Sequence, residues 1–328
     1  MDLKNLIMNK TSFFIAFFLL YFANLSFGQF TDDINSNRPG RSMMAYAVGK
    51  SVFQTENGFY YVNDKHKVLD YDASGYMAEM DIRWGLFMEQ LEFIAEIQYQ
   101  TDSYTTQNVE KNRAALRKTL VGAKYLLYDP FKNYEEKVNI YSWKANHRFK
   151  WRQLLPAVSV YAGANFNFPD NPFIYNPLQI KEPIVSPKVM VITQNQLGSR
   201  WVLVSNIAYN KIASEFASID YILTLTRGFN AKWSGFVENQ GFMGDYYSDG
   251  IFRVGAAYLI NKSMQVDASV GKNIKNTPDL FNAGIGFSWR FANNYEEVKI
   301  KKDKGSKMDK KIEKKKEKEA KQREKAAK

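Results

Sequence analysis

The stretch Phe281-Asn282-Ala283-Gly284-Ile285-Gly286-Phe287-Ser288-Trp289-Arg290-Phe291 decides how the chain is read. Its odd positions are Phe, Ala, Ile, Phe, Trp and Phe, and its even positions are Asn, Gly, Gly, Ser and Arg. A strand turns successive side chains to opposite faces, so this alternation gives one apolar and one polar face. The same period recurs upstream. In 76–86, Tyr76, Ala78, Met80, Ile82, Trp84 and Leu86 alternate with Met77, Glu79, Asp81, Arg83 and Gly85. In 91–100, Leu91, Phe93, Ala95, Ile97 and Tyr99 alternate with Glu92, Ile94, Glu96, Gln98 and Gln100. In 217–226, Ala217, Ile219, Tyr221, Leu223 and Leu225 alternate with Ser218, Asp220, Ile222, Thr224 and Thr226.

Weaker alternation marks 51–62, 118–128, 154–166, 188–196, 201–210, 231–240, 251–260 and 264–272. Together these predict twelve strands of about ten residues, the length a tilted strand needs to cross a bilayer. The connections alternate as well. One set is short (87–90, 197–200, 227–230 and 261–263), and the other is longer (63–75, 101–117, 167–187, 241–250 and 273–280). Short turns at one end and long loops at the other predict an all-β, antiparallel transmembrane β-barrel of about 12 strands. The link 129–153 is long where a short turn is expected, and reads as an insertion or a further hairpin. With both termini on the periplasmic side, Trp84, Trp201, Trp233 and Trp289 share the periplasmic rim. Tyr76, Tyr99, Tyr209, Phe252 and Phe281 share the other, as aromatic girdles do. A soluble β-sandwich would bury such aromatics instead.

Composition sharpens this. The chain has 328 residues, no Cys and two His, so disulfides, thiolate metal sites and Cys nucleophiles are excluded. The formal charge of +11 would suggest a nucleic-acid partner. However, residues 292–328 alone hold 15 Lys/Arg against 8 Asp/Glu. Most of the charge therefore belongs to a terminal appendage, and no nucleic-acid partner is expected. At the other end Lys4 and Lys10 precede the apolar run Phe13–Ala23, with small Ser26 and Gly28 following. That is a secretory signal with cleavage expected before Gln29, its apolar run being too short for a spanning helix. The expected organisation is a signal peptide at 1–28, an N-terminal periplasmic segment at 29–50, the barrel at 51–291 and a Lys-rich periplasmic tail at 292–328. The tail carries favourable i,i+4 pairs such as Glu317–Lys321 but no apolar stripe, which fits a solvated helix or disordered arm. If it binds, its partner is anionic: cell-wall polymer, lipid headgroups or an acidic periplasmic protein.

If the apolar faces meet lipid, Glu79, Asp81, Arg83, Glu92, Glu96, Lys124, Asp220, Glu238, Arg253, Asp267 and Arg290 line the lumen. On the lipid face each would cost about 2–4 kcal/mol at the midplane. Two readings stay open: a polar, mildly cation-favouring path, or mutually paired charges that plug the barrel. Catalysis is disfavoured. Hydrolytic Ser chemistry needs a positioned base within hydrogen-bond reach, and His66 falls in an outer loop and His147 in the long link, neither on a predicted strand. Glu92 and Glu96, like Glu79 and Asp81, read as lumen lining, so no enzyme, cofactor or metal is expected. The loop 167–187 holds Pro169, Pro172, Pro177, Pro183 and Pro187 with Phe168, Phe173 and Tyr175. Proline stiffens it into a lid, or into an ordered loop without gating.

Gly286–Phe291 resembles the closing-strand signal of bacterial outer-membrane proteins, whose terminal aromatic residue is read by the barrel assembly machinery. The resemblance assigns Phe287, Trp289 and Phe291 to that signal, although 37 residues follow Phe291. A family resemblance covers roughly 31–291. Asn37-Arg38-Pro39-Gly40, Val48-Gly49-Lys50 and Phe53-Gln54-Thr55-Glu56-Asn57-Gly58-Phe59 resemble the opening of the outer-membrane transporter family named for the meta-pathway of phenol degradation. Its members begin with an Arg-Pro segment, a Gly-Lys turn and a Gln-x-Glu-x-Gly first strand. Val121-Gly122-Ala123-Lys124-Tyr125 and Gln265-Val266-Asp267-Ala268-Ser269 are also similar, while Asn37 and Gly40 stand where acidic residues are more usual. The resemblance implies a porin-like barrel, in the outer membrane of a Gram-negative bacterium, that passes a small solute passively. The alternative is a closed structural or interaction barrel whose basic tail binds an anionic periplasmic partner.

Overall fold

The computed structural model describes residues 34–107, 109–132, 141–142, 151–168, 171–173, 183–198 and 200–292. The expected signal peptide, the Lys-rich tail beyond Ala292, His147 and most of the 129–153 link lie outside them. Twelve strands form: β1 (Val52–His66), β2 (Tyr71–Gly85), β3 (Leu91–Thr106), β4 (Glu110–Tyr128), β5 (Ala157–Phe166) and β6 (Val185–Leu197). The second half is β7 (Trp201–Asn210), β8 (Ser218–Gly228), β9 (Trp233–Gly244), β10 (Asp249–Asn261), β11 (Met264–Asn273) and β12 (Asp279–Ala292). Each pairs antiparallel with its sequence neighbours, and β12 returns to β1 from Val52↔Ala292 to Lys65↔Asp279, closing the barrel. A closed barrel has no unpaired edge, so every strand is satisfied on both sides.

All twelve expected strands are present, with the inside–outside alternation read from the sequence. The predicted tryptophans stand exposed on the outer face at the end that carries β1's start and β12's finish, here called the near end. Phe53, Trp84 and Phe93 are register neighbours there, and the Trp289 ring lies tilted against Phe291 with centroids 4.1 Å apart. Tyr76, Tyr99, Tyr209, Phe252 and Phe281 are exposed toward the far end.

Three expectations are corrected. First, the loops 63–75 and 101–117 are mostly strand: β1–β2 are joined by 67–70 and β3–β4 by 107–109. Beyond the apolar belt the outward positions also become polar, so the period-two signal fades while the hydrogen-bonded ladder continues. Second, His66 is the buried last residue of β1 rather than a loop residue. Its Nδ1 accepts the Leu69 N–H at 3.1 Å. Third, residues 34–50 are not outside the barrel but inside it, as the next subsection details.

Candidate functional site

The lumen is built by the inward positions of the strands and by the segment that precedes them. Residues 34–50 pair with no strand, so their backbone polar groups take partners from wall side chains. Ile34 N–H donates to Lys262 O at 2.8 Å, at the near end. Ser36 Oγ lies 2.8 Å from Ser288 Oγ of β12. The Arg38 guanidinium donates to Asp267 of β11 at 2.9 and 3.2 Å and to Tyr60 Oη of β1 at 2.8 Å. It rests over Gly58 and Gly286, where any Cβ would collide with it. Arg41 pairs with Glu79 of β2, and its backbone N–H donates to Glu238 of β9 at 2.8 Å.

The segment then crosses the opposite wall. Met43 exchanges two hydrogen bonds with Asn206 of β7, at 2.6 and 2.9 Å. Ala45 N–H donates to Gln194 of β6 at 3.0 Å, and Ala45 O accepts from Ser159 of β5 at 2.6 Å. Lys124 of β4 donates to Met44 O and Tyr46 O at 2.8 and 3.1 Å. Val48 N–H donates to Glu92 of β3 at 2.9 Å. Gly49, at φ 97°, then turns the chain out into β1, a conformation glycine takes at little cost. The segment thus touches most of the wall and narrows the near half of the lumen.

Two kinds of wall meet it. On one side Met43, Ala45 and Tyr46 join Ile94, Leu120, Tyr161, Met190 and Ile192 in an apolar cluster. On the other, Arg83 donates to Glu56 at 2.9 Å and to Glu92 at 2.7 and 3.1 Å, and Lys124 lies 3.3 Å from Glu92. All four side chains have 0% exposure. Buried charges persist only when paired and hydrogen-bonded, and here each one is.

The far half is more open. Asp102 of β3 accepts two hydrogen bonds from Arg113 of β4, at 2.8 and 2.7 Å. Arg113 also lies over Tyr104 and Phe173, 4.4 and 5.1 Å from the ring centroids. Pro172 O accepts from Arg113 at 3.3 Å, and Asn171 donates to Leu116 O at 3.0 Å. The described part of the proline-rich loop is therefore fastened to the β4 rim. At that rim β4 bulges: Gln98 faces Lys118 and Tyr99 faces Leu116, leaving Arg117 as the extra residue. A bulge re-aims side chains, and both Arg117 and Lys118 reach lumen partners, Gln100 at 2.7 Å and Glu96. In the far loop at 245–248, burial and the Asp249 carboxylate 2.8 Å away hold the Tyr247 phenol well above its ordinary range.

All eleven residues expected to line the lumen lie on the inward face. Nine are buried, and Asp81 and Glu96 are half-buried. The structure brings Arg83, Glu92 and Lys124 together, joins Arg253 to Glu238 at 2.8 Å, and links Glu79 with Asp267 through Arg38. Asp220 is held by Asn210 and Ser218 at 3.1 and 2.8 Å, apart from the others. Glu56, Arg38, Arg41, Asp102, Arg113 and Lys118 were missed. Glu56 carried a readable signal, because Gln54, Glu56 and Gly58 alternate with Phe53, Thr55, Asn57 and Phe59. Among the described residues no group of three or more His, Asp or Glu side chains is arranged to hold a metal ion. A shallow trough of about 1090 Å³ lies on the outward face, lined by residues including Trp201, Leu225, Val254 and Ile285, and belongs to the apolar surface rather than the lumen.

The profile of the family described as "Putative MetA-pathway of phenol degradation" matches residues 36–291, taking in both the inserted segment and all twelve strands. The chain belongs to this family. No curated protein matches it. Among solved structures, an outer membrane channel from Pseudomonas putida F1 is similar at a TM-score of 0.51 and 11% identity, over 79% of this chain and 100% of that one. The KdgM porin in complex with disordered oligogalacturonate gives a TM-score of 0.43 at 11% identity, over 71% and 99% of the two chains. The translocator domain of the autotransporter NalP from Neisseria meningitidis gives 0.42 at 8% identity, over 78% and 90%. The first likeness bears on fold: this member of the phenol-pathway family is a porin-like barrel of the outer-membrane type.

Proposed function

We propose that this barrel is a bacterial outer-membrane channel that passes small solutes by passive diffusion, with its near end in the periplasm. The observation that carries this is the polarity of the two faces. Aromatic and aliphatic side chains face outward in bands, while charged and amide side chains line an interior that residues 34–50 partly fill. Such an interior conducts where it is not packed shut, and the far half has exposed groups such as Arg117 facing the lumen. The chain is exported on a signal peptide cleaved before Gln29, and Phe287, Trp289 and Phe291 present the closing strand to the assembly machinery. Phe291 is exposed on the outer face and lies 6.1 Å from Phe53 across the β1–β12 closure, where such a readout is reachable.

The other reading is a closed structural barrel, with its basic tail on an anionic periplasmic partner. The fully paired Arg83–Glu56–Glu92–Lys124 set favours it, because that part of the lumen is filled. Purified protein in planar bilayers separates the two. Stepwise conductance supports the channel, and silence from a folded, heat-modifiable barrel supports the closed module.

A further inference from the structure

On the β4–β6 wall, beyond the inserted segment, hydrogen-bond donors accumulate without acceptors. Lys188 and Ser186 are two apart on the inward face of β6. Lys188 pairs in register with Gly163 of β5, and Gly163 with Gly122 of β4. No side chain rises from those two positions, and the Tyr161 ring lies across both. Lys188 is level with Gly163, the Tyr161 ring reaches that level from two residues toward the near end, and Ser186 stands two residues toward the far end, so Lys188 lies between the two hydroxyls. Tyr161 and Ser186 are each 1% exposed, and neither the Tyr161 Oη nor the Ser186 Oγ has a hydrogen-bond partner among the described residues. Buried hydroxyls without partners are uncommon, and each needs a reason.

The charges around the patch are unevenly matched. Lys188 has Lys118, Glu96 and Asp220 as its charged neighbours, yet forms no ion pair within 4 Å among the described residues. Glu96 is already paired to Lys118, and Asp220 is occupied by Asn210 and Ser218. What is unused is one ammonium and two hydroxyls, with a second ammonium nearby. Tyr161 and Met190 supply apolar surface beside it toward the near end, and Leu120, in register with Asn165, supplies more on the Ser186 side.

We infer that Lys188, Tyr161 and Ser186 form a subsite for the carboxylate of a small organic acid with an apolar body, on the far side of the inserted segment. This rests on the channel reading and names a solute class for it. A carboxylate accepts charge-assisted bonds from an ammonium and ordinary ones from two hydroxyls, whereas a neutral or cationic solute leaves Lys188 uncompensated. Lys188 contacts the solute directly, and Lys118 contributes through its field.

The test uses full-length protein in detergent, with benzoate, benzyl alcohol and benzylamine as probes in calorimetric titrations at low ionic strength. Benzoate is expected to bind while the other two do not. Lys188→Met should weaken benzoate about tenfold, from the loss of one charge-assisted hydrogen bond. Tyr161→Phe should weaken it severalfold, and Lys272→Met, whose side chain is 61% exposed at a far strand end, should leave it unchanged. Heat-modifiable migration checks that every variant is folded. Equal binding of benzyl alcohol, or benzoate affinity unchanged in both Lys188→Met and Tyr161→Phe, overturns the inference. Titration does not depend on conduction. Benzoate binding by a barrel silent in bilayers would therefore sink the channel reading and leave the subsite standing, while conduction without binding would do the reverse.

Discussion

At the near end of the lumen, Arg83, Glu56, Glu92 and Lys124 are wholly buried and every charge has an opposite partner. At the far end Arg117 is exposed, Lys188 is half-buried without an ion pair, and Lys118 keeps 34% side-chain exposure even when paired. The residue types are the same. What differs is the segment 34–50, which removes water from the near half and leaves the far half wet. A buried charge is costly unless paired, so these four side chains close their ion pairs, while the far half leaves donors for a solute.

That contrast can be broken at its dry end. Arg83→Met should be the most disruptive single change, because it leaves Glu56 and Glu92 buried beside fewer cations. Removing one partner of a buried pair typically costs about 3–5 kcal/mol. Urea titration of heat-modifiable migration should show a strongly lowered midpoint or no folded barrel. Arg113→Met, at the wet end, removes a pair whose arginine is 14% exposed and should cost clearly less, on the order of 1–2 kcal/mol. Equal losses at the two sites would erase the distinction between the halves.

The placement of the segment itself can be sharpened because the chain has no cysteine of its own. Ser36 and Ser288 present their Oγ atoms 2.8 Å apart, so Ser36→Cys with Ser288→Cys should oxidise within the folded barrel. The cross-link, read by migration after cleavage between the two positions, should form to near completion in the folded barrel and raise its stability, typically by about 2–4 kcal/mol. Failure to cross-link in the folded protein would contradict an N-terminal segment lying inside the wall. The smallest effect belongs to the tail. Truncation after Ala292 should leave the yield of folded barrel unchanged, whereas Phe291→Ala should reduce it. The opposite pattern would remove Phe291 from the assembly signal.

The wall was legible in the sequence because period-two alternation and aromatic bands are local properties. In 281–291 each residue announces its face by itself, and the closure of β12 on β1 follows from having no edge to spare. Segment 34–50 was not legible. Its apolar and polar residues follow no period, since its partners are wall side chains more than two hundred residues away, such as Ser288 for Ser36 and Asp267 for Arg38. The strand extensions of β1–β4 were lost for a related reason: outside the apolar belt, both faces are polar and alternation carries no signal. Arg117 was hidden by the bulge, which breaks the parity on which the reading relied. The eleven lumen residues were placed on the correct face, but their pairing was unreadable, because Arg38 of the inserted segment is what joins Glu79 to Asp267.

If the barrel conducts, residues 34–50 set how much. Single-channel recording in planar bilayers compares the full-length protein with a version lacking 34–50, both verified as folded by heat-modifiable migration. Small, regular steps are expected from the full-length protein, and steps several times larger once the segment is gone. Silence from both folded proteins, or steps of one size from both, would contradict that expectation.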